Sequence, residues 1–216
     1  MSLRKLFLWV LAILGGIAIF WMVGMKIIYR MLAYFGIGTP CPASLARLLD
    51  NPVRRRYTGR ILDRIGIQPG ERVLELGPGP GVFTVEAAGR VGPEGRLIAV
   101  DIQPGMIAQV EKRVREAGLT NVETHVASAY ELPMEDASLE RAFLVTVLYE
   151  IPDVDKALRE LRRVLKPGGV LSITEQFPDP DYPFPGEAIR RVERAGFHLI
   201  ERSGSFWMYT LNFEKV

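Results

Sequence analysis

The chain has 216 residues, enough for one α/β domain with a hydrophobic core and a short additional segment. Its net charge of +2 gives no general argument for nucleic acid, so we expect no nucleic-acid partner. Cys41 is the only cysteine, which excludes an intrachain disulfide and a thiolate metal cluster. Because no other cluster of metal-ligating residues stands out in the sequence, we expect no metal site.

The first thirty residues contain a long apolar run. Leu6–Met25 has no charged residue, and as a helix it would measure about 30 Å, the thickness of the hydrocarbon core of a bilayer. A cleaved signal peptide is one alternative, but its apolar core would be shorter and would end at small residues. A buried core helix is another, although a domain of this size rarely covers an uncharged helix on all sides. We therefore predict a transmembrane anchor at residues 1–30.

Residues 31–65 are predicted to form an interfacial, basic helical connector. Apolar and aromatic residues within Ala33–Asp50 would lie at a membrane surface, and the consecutive arginines Arg54–Arg56 follow them. The charges leave the orientation of the anchor open, because basic residues flank the apolar run on both sides.

Residues 66–216 are predicted to form one α/β domain. Short apolar runs alternate with amphipathic segments, a pattern typical of βαβ units in a largely parallel sheet. Only Ser203–Ser205 separates the last two apolar runs, so these should form an antiparallel hairpin. The predicted strands are Arg72–Leu76, Arg96–Val100, Val122–Val126, Arg141–Thr146, Val170–Thr174, Phe197–Arg202 and Trp207–Phe213. The predicted helices are Val82–Val91, Gly105–Ala117, Asp155–Leu165 and Gly186–Ala195.

A glycine-rich turn, Gly77–Gly81, follows the first predicted strand. Alternate glycines let the backbone turn tightly and approach a ligand closely, and the amide groups of the next helix would point to the same place. The second predicted strand is followed by Asp101, whose carboxylate can accept hydrogen bonds from both hydroxyls of a ribose. The combination indicates a ligand that contains adenosine, rather than a turn without a ligand.

The spacing of the glycines distinguishes between adenosine ligands. A dinucleotide fingerprint would need a third glycine at the position of Val82, and a P-loop would need Gly-Lys followed by Ser or Thr. The sequence has neither. Glu75, just before the turn, would repel a pyrophosphate but would suit a ligand that carries an ammonium or sulfonium charge.

Three segments resemble motifs of the class I S-adenosylmethionine-dependent methyltransferases. Val73–Thr84 resembles their first motif, Val100–Ile102 their second, and Arg162–Leu171 the segment that leads into their fifth strand. The similarity extends from about residue 66 to the C-terminus, and it is closest to the branch of ubiquinone, menaquinone and related small-molecule and lipid methyltransferases. It implies a Rossmann-like α/β fold, with a seven-stranded, mostly parallel sheet and an antiparallel last strand. It also implies S-adenosyl-L-methionine as the cofactor.

The resemblance also implies roles for individual residues. Glu75 and the glycine-rich turn would hold the methionine part of the cofactor, Asp101 the ribose, and Ile102 the adenine. The family usually has an acidic residue after the third strand, where this chain has Ser128, which can accept one hydrogen bond near the adenine. Thr146 would line the sulfonium end. The predicted cofactor-binding residues are Glu75, Gly77, Pro78, Gly79, Gly81, Asp101, Ile102, Ser128, Ala129 and Thr146.

The methyl acceptor is expected at the carboxyl end of the fourth predicted strand. Methyl transfer from a sulfonium is an in-line displacement in which the protein mainly positions the reactants. Tyr149 and Glu150 are the predicted catalytic residues, and Glu175 after the fifth strand is a third candidate. A wall residue is the alternative for Tyr149, and a solvated carboxylate or an arginine partner is the alternative for Glu150.

An anchor joined to a methyltransferase domain favours an acceptor in the membrane, such as a phospholipid amine or a quinone-type lipid. The proline-rich loop Phe177–Pro185, with its apolar residues, agrees with such an acceptor. Two alternatives stay open: a methyltransferase for a soluble small molecule, and a membrane-tethered, cofactor-binding assembly protein without transfer activity. The expected location is a single-pass membrane protein that contacts the lipid bilayer, with its catalytic domain in the cytoplasm where the cofactor is found.

Overall fold

The computed structural model describes residues 3–34, 52–177, 179 and 181–216. Most of the predicted interfacial segment Ala33–Asp50, including Cys41, lies outside these residues. Pro178 and Pro180 of the proline-rich loop lie outside them as well.

The amino-terminal helix, α1, spans Leu3–Tyr34. The transmembrane anchor predicted at residues 1–30 is not supported, because no helix among the described residues is long and apolar enough to cross a bilayer. The predicted location, a single-pass membrane protein with a cytoplasmic catalytic domain, is therefore wrong.

A seven-stranded sheet confirms the predicted α/β fold. Its strands are β1 (Arg72–Leu76), β2 (Arg96–Asp101), β3 (Val122–Val126), β4 (Leu139–Val145), β5 (Leu165–Gln176), β6 (Phe197–Ser205) and β7 (Met208–Lys215). They lie in the order β3-β2-β1-β4-β5-β7-β6. Strands β1 to β5 pair in parallel, and β7 is antiparallel to both β5 and β6. The predicted antiparallel last strand is thus present.

Helices cover both faces of the sheet because successive side chains of a buried strand point to opposite faces. Val73 of β1 packs in the core beneath two helices, and its neighbour Leu74 packs in the core on the other face. The first core includes α2 (Pro52–Ile65) and α3 (Thr84–Val91), and the second includes α5 (Val154–Val164) and α6 (Pro185–Arg194). Helix α4 (Pro104–Glu116) packs against β2 and β3.

The hairpin between β6 and β7 turns later in the chain than predicted. Ser205 pairs with Met208, so Phe206 and Trp207 form the tip instead of Ser203–Ser205. Gly204 lies within the ladder, where a Cβ atom would be 2.3 Å from the carbonyl oxygen of Met208. A glycine is therefore needed here for close approach of the two strands and not for the turn.

The aromatic side chains at the tip pack on the loop after β5. The ring of Phe177 lies 4.9 Å from that of Phe206 and 5.0 Å from that of Trp207, measured between ring centroids. The amide of Phe177 also donates a hydrogen bond to the carbonyl of Trp207. These contacts favour the tip at Phe206 and Trp207 over one at the small residues before them.

Candidate active site

A cavity of about 330 Å³ opens at the carboxyl ends of β1, β2 and β4. Ligands bind at this edge in open, largely parallel sheets. Its lining residues include those of the turns after β1 and β2 and of the segment that follows β4. The cavity is lined by most of the predicted site residues, namely Glu75, Gly77, Pro78, Gly79, Asp101, Ile102, Ser128, Ala129, Thr146 and Glu150. Gly81 and Tyr149 are not among its lining residues.

The glycine-rich turn depends on Gly77 for its position in the site. Gly77 has a φ of +70°, and its amide donates a 2.8 Å hydrogen bond to the carbonyl of Val100 on β2. A Cβ atom at Gly77 would lie 2.6 Å from Cγ1 and 2.7 Å from Cγ2 of Val147. Val147 follows β4 and lines the same cavity. A side chain at Gly77 would therefore push the turn after β1 away from the segment after β4.

Glu75 is a buried carboxyl at the end of β1, with 2% of its surface exposed. It accepts a 2.7 Å hydrogen bond from the hydroxyl of Thr84, the first residue of α3. Burial raises the pKa of Glu75 to about 7, the hydrogen bond from Thr84 opposes this shift, and the nearby charge of Asp101 adds to it. A cation beside Glu75 would stabilise its ionised form, as expected for a carboxyl that holds an ammonium or sulfonium group.

We expect the affinity for S-adenosylhomocysteine, which carries an ammonium group, to rise with pH up to about 7 and then to level off. Below that pH the free protein holds a proton on Glu75, and binding of the cation must release it, which costs about tenfold in affinity per pH unit. Titration calorimetry across this range measures the slope. In Glu75→Gln the slope should vanish, and a slope that persists in this variant would assign the proton to another group.

The same shift has the opposite effect on the stability of the protein without ligand. Between pH 4.5 and about 7 the folded state holds a proton on Glu75 that the unfolded state has released. Stability should therefore decrease as pH rises across that window and stay constant above it. Urea unfolding with and without S-adenosylhomocysteine separates the two effects.

Asp101 lies at the end of β2 with 8% of its surface exposed. Its carboxylate accepts a 2.9 Å hydrogen bond from the amide of Gln103 and others from the amides of Gly79 and Ile102. Burial raises the pKa of Asp101, and these three hydrogen bonds oppose the shift. Ile102 is 60% exposed and lines the cavity, so an apolar surface lies next to the carboxylate. This pairing suits a ribose beside a purine ring.

The segment after β3 offers the adenine fewer hydrogen-bond acceptors than an acidic residue would. Ser128 and Ala129 line the cavity, but the Ser128 hydroxyl already accepts a 3.2 Å hydrogen bond from the amide of Tyr130. A hydroxyl oxygen can accept a second hydrogen bond and can also donate one. The Ser128 hydroxyl therefore retains hydrogen-bonding capacity for an adenine, and this contact remains a prediction.

The predicted acceptor residues follow β4 in a short 3-10 helix, Leu148–Glu150. Thr146 has a φ of +56°, which is rare for a β-branched residue, and its amide donates to the carbonyl of Thr174 on β5. Strained backbone of this kind is common at functional sites. Glu150 lines the cavity, whereas Tyr149 packs against the core.

The hydroxyl of Tyr149 is buried and has no hydrogen-bond partner among the described residues. Burial raises the pKa of Tyr149, and the charge of Glu175 adds to the shift. Glu175, the third candidate, is 1% exposed and also has an oxygen, Oε1, without a partner among the described residues.

Sequence reasoning missed several residues that line the cavity. Gln103 and Met106 follow Asp101 in the turn and first part of α4, and they could have been found from their proximity to Asp101. Asp179 lies in the loop after β5, and no spacing in the sequence relates it to the glycine-rich turn. Phe143, Val145 and Val147 also line the cavity, and an apolar residue in or just after a buried strand carries no sequence signal for such a position.

The residues of the cavity fit S-adenosyl-L-methionine. The buried carboxyl of Glu75 favours a cation, and Asp101 with Ile102 suits an adenosine. A Cβ atom at Gly79 would meet nothing within 4 Å, so the backbone there is open to a ligand. A volume of about 330 Å³ falls in the range of small-molecule sites.

Comparisons with known proteins agree with this site. Residues 73–169 match the family described as "Methyltransferase domain". Over 159 residues the chain is 35% identical to the ubiquinone/menaquinone biosynthesis C-methyltransferase UbiE of Vibrio vulnificus. The aligned residues make up 73% of this chain and 59% of that relative. The crystal structure of a SAM-dependent methyltransferase from Aquifex aeolicus is 25% identical and covers 82% of this chain and 100% of that chain, with a TM-score of 0.76.

Other solved structures share the fold at lower identity. The geranyl diphosphate C-methyltransferase from Streptomyces coelicolor is 14% identical and covers 74% of this chain and 79% of that chain, with a TM-score of 0.65. The chain spans about three fifths of the length of the UbiE relative. Residues 73–169 thus match a methyltransferase domain, and the motifs, the cavity and the similar proteins together support a class I S-adenosylmethionine-dependent methyltransferase with S-adenosyl-L-methionine as its cofactor.

Proposed function

We propose that the protein transfers the methyl group of S-adenosyl-L-methionine to a soluble small molecule. The observation that carries this proposal is one continuous cavity that joins Glu75 and Asp101 to Thr146 and Glu150. A cofactor held at the first pair would present its sulfonium toward the second. The membrane acceptor expected from the sequence depended on an anchor that the described residues do not support.

Positioning is the main contribution of the chain to this reaction. When bound, the cofactor supplies a methyl group that is activated by its positive sulfur. Asp101 and Glu75 would fix the two ends of the ligand, so that the methyl group points at the acceptor end. Phe143 and Val145 line the cavity with apolar surface. Glu150 can accept a proton from an acceptor that arrives protonated.

A ring carbon of a quinone-type compound is the second candidate acceptor. The similarity to a ubiquinone/menaquinone biosynthesis C-methyltransferase supports it, and the apolar cavity walls would accommodate a ring. This candidate needs an acceptor that partitions into lipid extracts, whereas the first needs one that partitions into water.

Labelling with methyl-labelled S-adenosyl-L-methionine tests the two candidates. The full-length protein is incubated separately with a polar-metabolite extract and with a lipid and quinone extract, and the products are identified by mass spectrometry. We expect labelled product from the polar extract. Label from the lipid extract alone would support the second candidate instead.

The variant Asp101→Ala tests whether Asp101 contributes to cofactor binding. This variant should weaken S-adenosylhomocysteine binding by about 1.5–3 kcal/mol, the range for hydrogen bonds to a charged group. Asp136→Ala is the control, because its carboxylate is 79% exposed and does not line the cavity. Equal affinities of the two variants would remove Asp101 from the cofactor site.

A further inference from the structure

Two walls of the cavity begin at strands that are not neighbours in the sheet. Residues 128–130, in the turn after β3, line one side, and residues 150–152, in the segment after β4, line another. In the sheet, β2 and β1 lie between β3 and β4. Three strand spacings amount to about 14 Å. A direct contact between these walls therefore brings together two parts of the cavity that the sheet holds apart.

The side chain of Tyr130 makes this contact. Its hydroxyl accepts a 2.9 Å hydrogen bond from the amide of Asp153, which lies 23 residues further along the chain and is the N-cap residue of α5. The ammonium group of Lys156, in the first turn of α5, lies 4.9 Å from the centroid of the Tyr130 ring. A cation at this distance from an aromatic face is attracted to it. Two contacts of different kinds thus attach Tyr130 to the beginning of α5.

Both ends of this connection are fixed by further hydrogen bonds. The amide of Tyr130 donates a 3.2 Å bond to the hydroxyl of Ser128, and the amide of Glu131 donates a 3.1 Å bond to the Ser128 carbonyl. On the other side, the carboxylate of Asp153 accepts a 2.9 Å bond from the amide of Lys156 and so caps α5. Because each end is held in place, the bond from Asp153 to Tyr130 fixes the separation of the two walls.

The segment that Tyr130 holds carries the acceptor end of the proposed site. Thr146 begins this segment, and residues 150–152 line the cavity immediately before Asp153. The ring of Tyr130 lies in the opposite wall, next to Ser128, where we expect the adenine. The ring and the hydroxyl of one side chain thus serve different ends of the cavity.

We infer that Tyr130 is a positioning residue of the proposed methyl transfer, whose hydroxyl holds the segment after β4 against the bound cofactor. This inference rests on the proposed function and adds a residue to it. The hydroxyl acts through Asp153 and not by touching the reacting atoms. Without the hydrogen bond, the segment would move away from the cofactor for part of the time, and the alignment needed for in-line transfer would be lost.

Two probes of different length test the inference without turnover. Adenosine is expected to reach only the part of the site around Asp101, whereas S-adenosylhomocysteine extends to the segment after β4. Each is titrated calorimetrically into full-length Tyr130→Phe, which keeps the ring and removes only the hydroxyl. We expect S-adenosylhomocysteine to bind about fivefold more weakly, within the range for the loss of one hydrogen bond. Adenosine should keep the affinity that it has for the unmodified protein.

Tyr209→Phe is the matched control for the loss of a tyrosine hydroxyl. The hydroxyl of Tyr209 donates a 3.0 Å hydrogen bond to the carbonyl of Pro183, also a backbone group distant in sequence, and Tyr209 does not line the cavity. Both variants should lose stability in urea unfolding, but only Tyr130→Phe should lose affinity for S-adenosylhomocysteine. Lys156→Met removes the cation from the ring and should weaken S-adenosylhomocysteine binding in the same direction, by about twofold.

The outcomes separate the inference from the function on which it rests. If S-adenosylhomocysteine does not bind the unmodified protein, the proposed function fails and the inference fails with it. If it binds the unmodified protein and Tyr130→Phe equally well, only the inference is overturned. Equal losses for adenosine and S-adenosylhomocysteine would also overturn it, because the hydroxyl would then act on the adenosine part of the site. A similar loss in Tyr209→Phe would indicate a general effect of stability and would overturn it as well.

Discussion

Replacing Gly77 with alanine is expected to lower the affinity for S-adenosylhomocysteine by about a hundredfold, or about 3 kcal/mol. Two costs combine at this position. The φ of +70° is unfavourable for any residue with a Cβ atom, and the added methyl group would lie 2.6 Å from Cγ1 of Val147. The turn can accommodate alanine only by moving away from Val147, which displaces the backbone that faces the ligand.

Two further variants isolate the steric part of this effect. Gly118→Ala has a similar φ of +66° but no atom within 4 Å of the added methyl group, so it should lose some stability and keep its affinity. Gly77→Ala combined with Val147→Ala removes the clash and should recover most of the affinity. Calorimetry on the three variants is the measurement. Equal affinities of Gly77→Ala and Gly118→Ala would contradict the proposed role of the contact with Val147.

The part of the cavity lined by Glu75, Gly77 and Asp101 could be predicted from sequence because its residues follow locally recognisable strands. Glu75 and Gly77 lie at the end of one strand, and Asp101 lies at the end of the next, so a parallel sheet brings them to one edge. Their chemistry can be derived from residue type and position along the chain. The strands and the antiparallel β7 follow from apolar runs and the short connection between the last two of them.

The acceptor half could not be derived in the same way. Tyr149 and Glu150 are neighbours in sequence, but in the 3-10 helix after β4 only Glu150 lines the cavity, while Tyr149 packs against the core. Asp179 reaches the cavity from a loop after a different strand. This loop packs through Phe177 against the hairpin tip at Phe206 and Trp207, a long-range contact that no local pattern encodes.

The predicted amino-terminal membrane anchor is not supported, since no helix among the described residues is long and apolar enough to cross a bilayer. Likewise, the small residues Ser203–Ser205 resembled a turn, but the ladder continues through them and the tip is aromatic.

Arg141→Met is expected to lower the free energy of unfolding by about 3–5 kcal/mol, because it removes one partner of a buried ion pair. Arg141 on β4 is 8% exposed and holds Glu71 with two hydrogen bonds, 2.9 Å from Nε and 3.0 Å from Nη2. Its Nη1 atom donates a third, of 2.8 Å, to the carbonyl of Ile65 at the end of α2. Methionine keeps the apolar part of the side chain but removes all three of these hydrogen bonds, so that Glu71 retains the 3.0 Å hydrogen bond from the amide of Gln68 but loses its cationic partner.

Arg115→Ala is the matched control for the loss of an arginine. Its contact with Glu111 is 3.8 Å long, and the two side chains are 70% and 46% exposed, so the loss should be about 0.2–0.5 kcal/mol. Urea unfolding measures both variants.

Because Arg141 does not line the cavity at the carboxyl end of the sheet, the folded fraction of Arg141→Met should bind S-adenosylhomocysteine as tightly as the unmodified protein. A small loss of stability would show that Glu71 finds water or another donor when Arg141 is removed. Restoration of stability in Arg141→Met combined with Glu71→Gln would show instead that the unpaired carboxylate causes the loss.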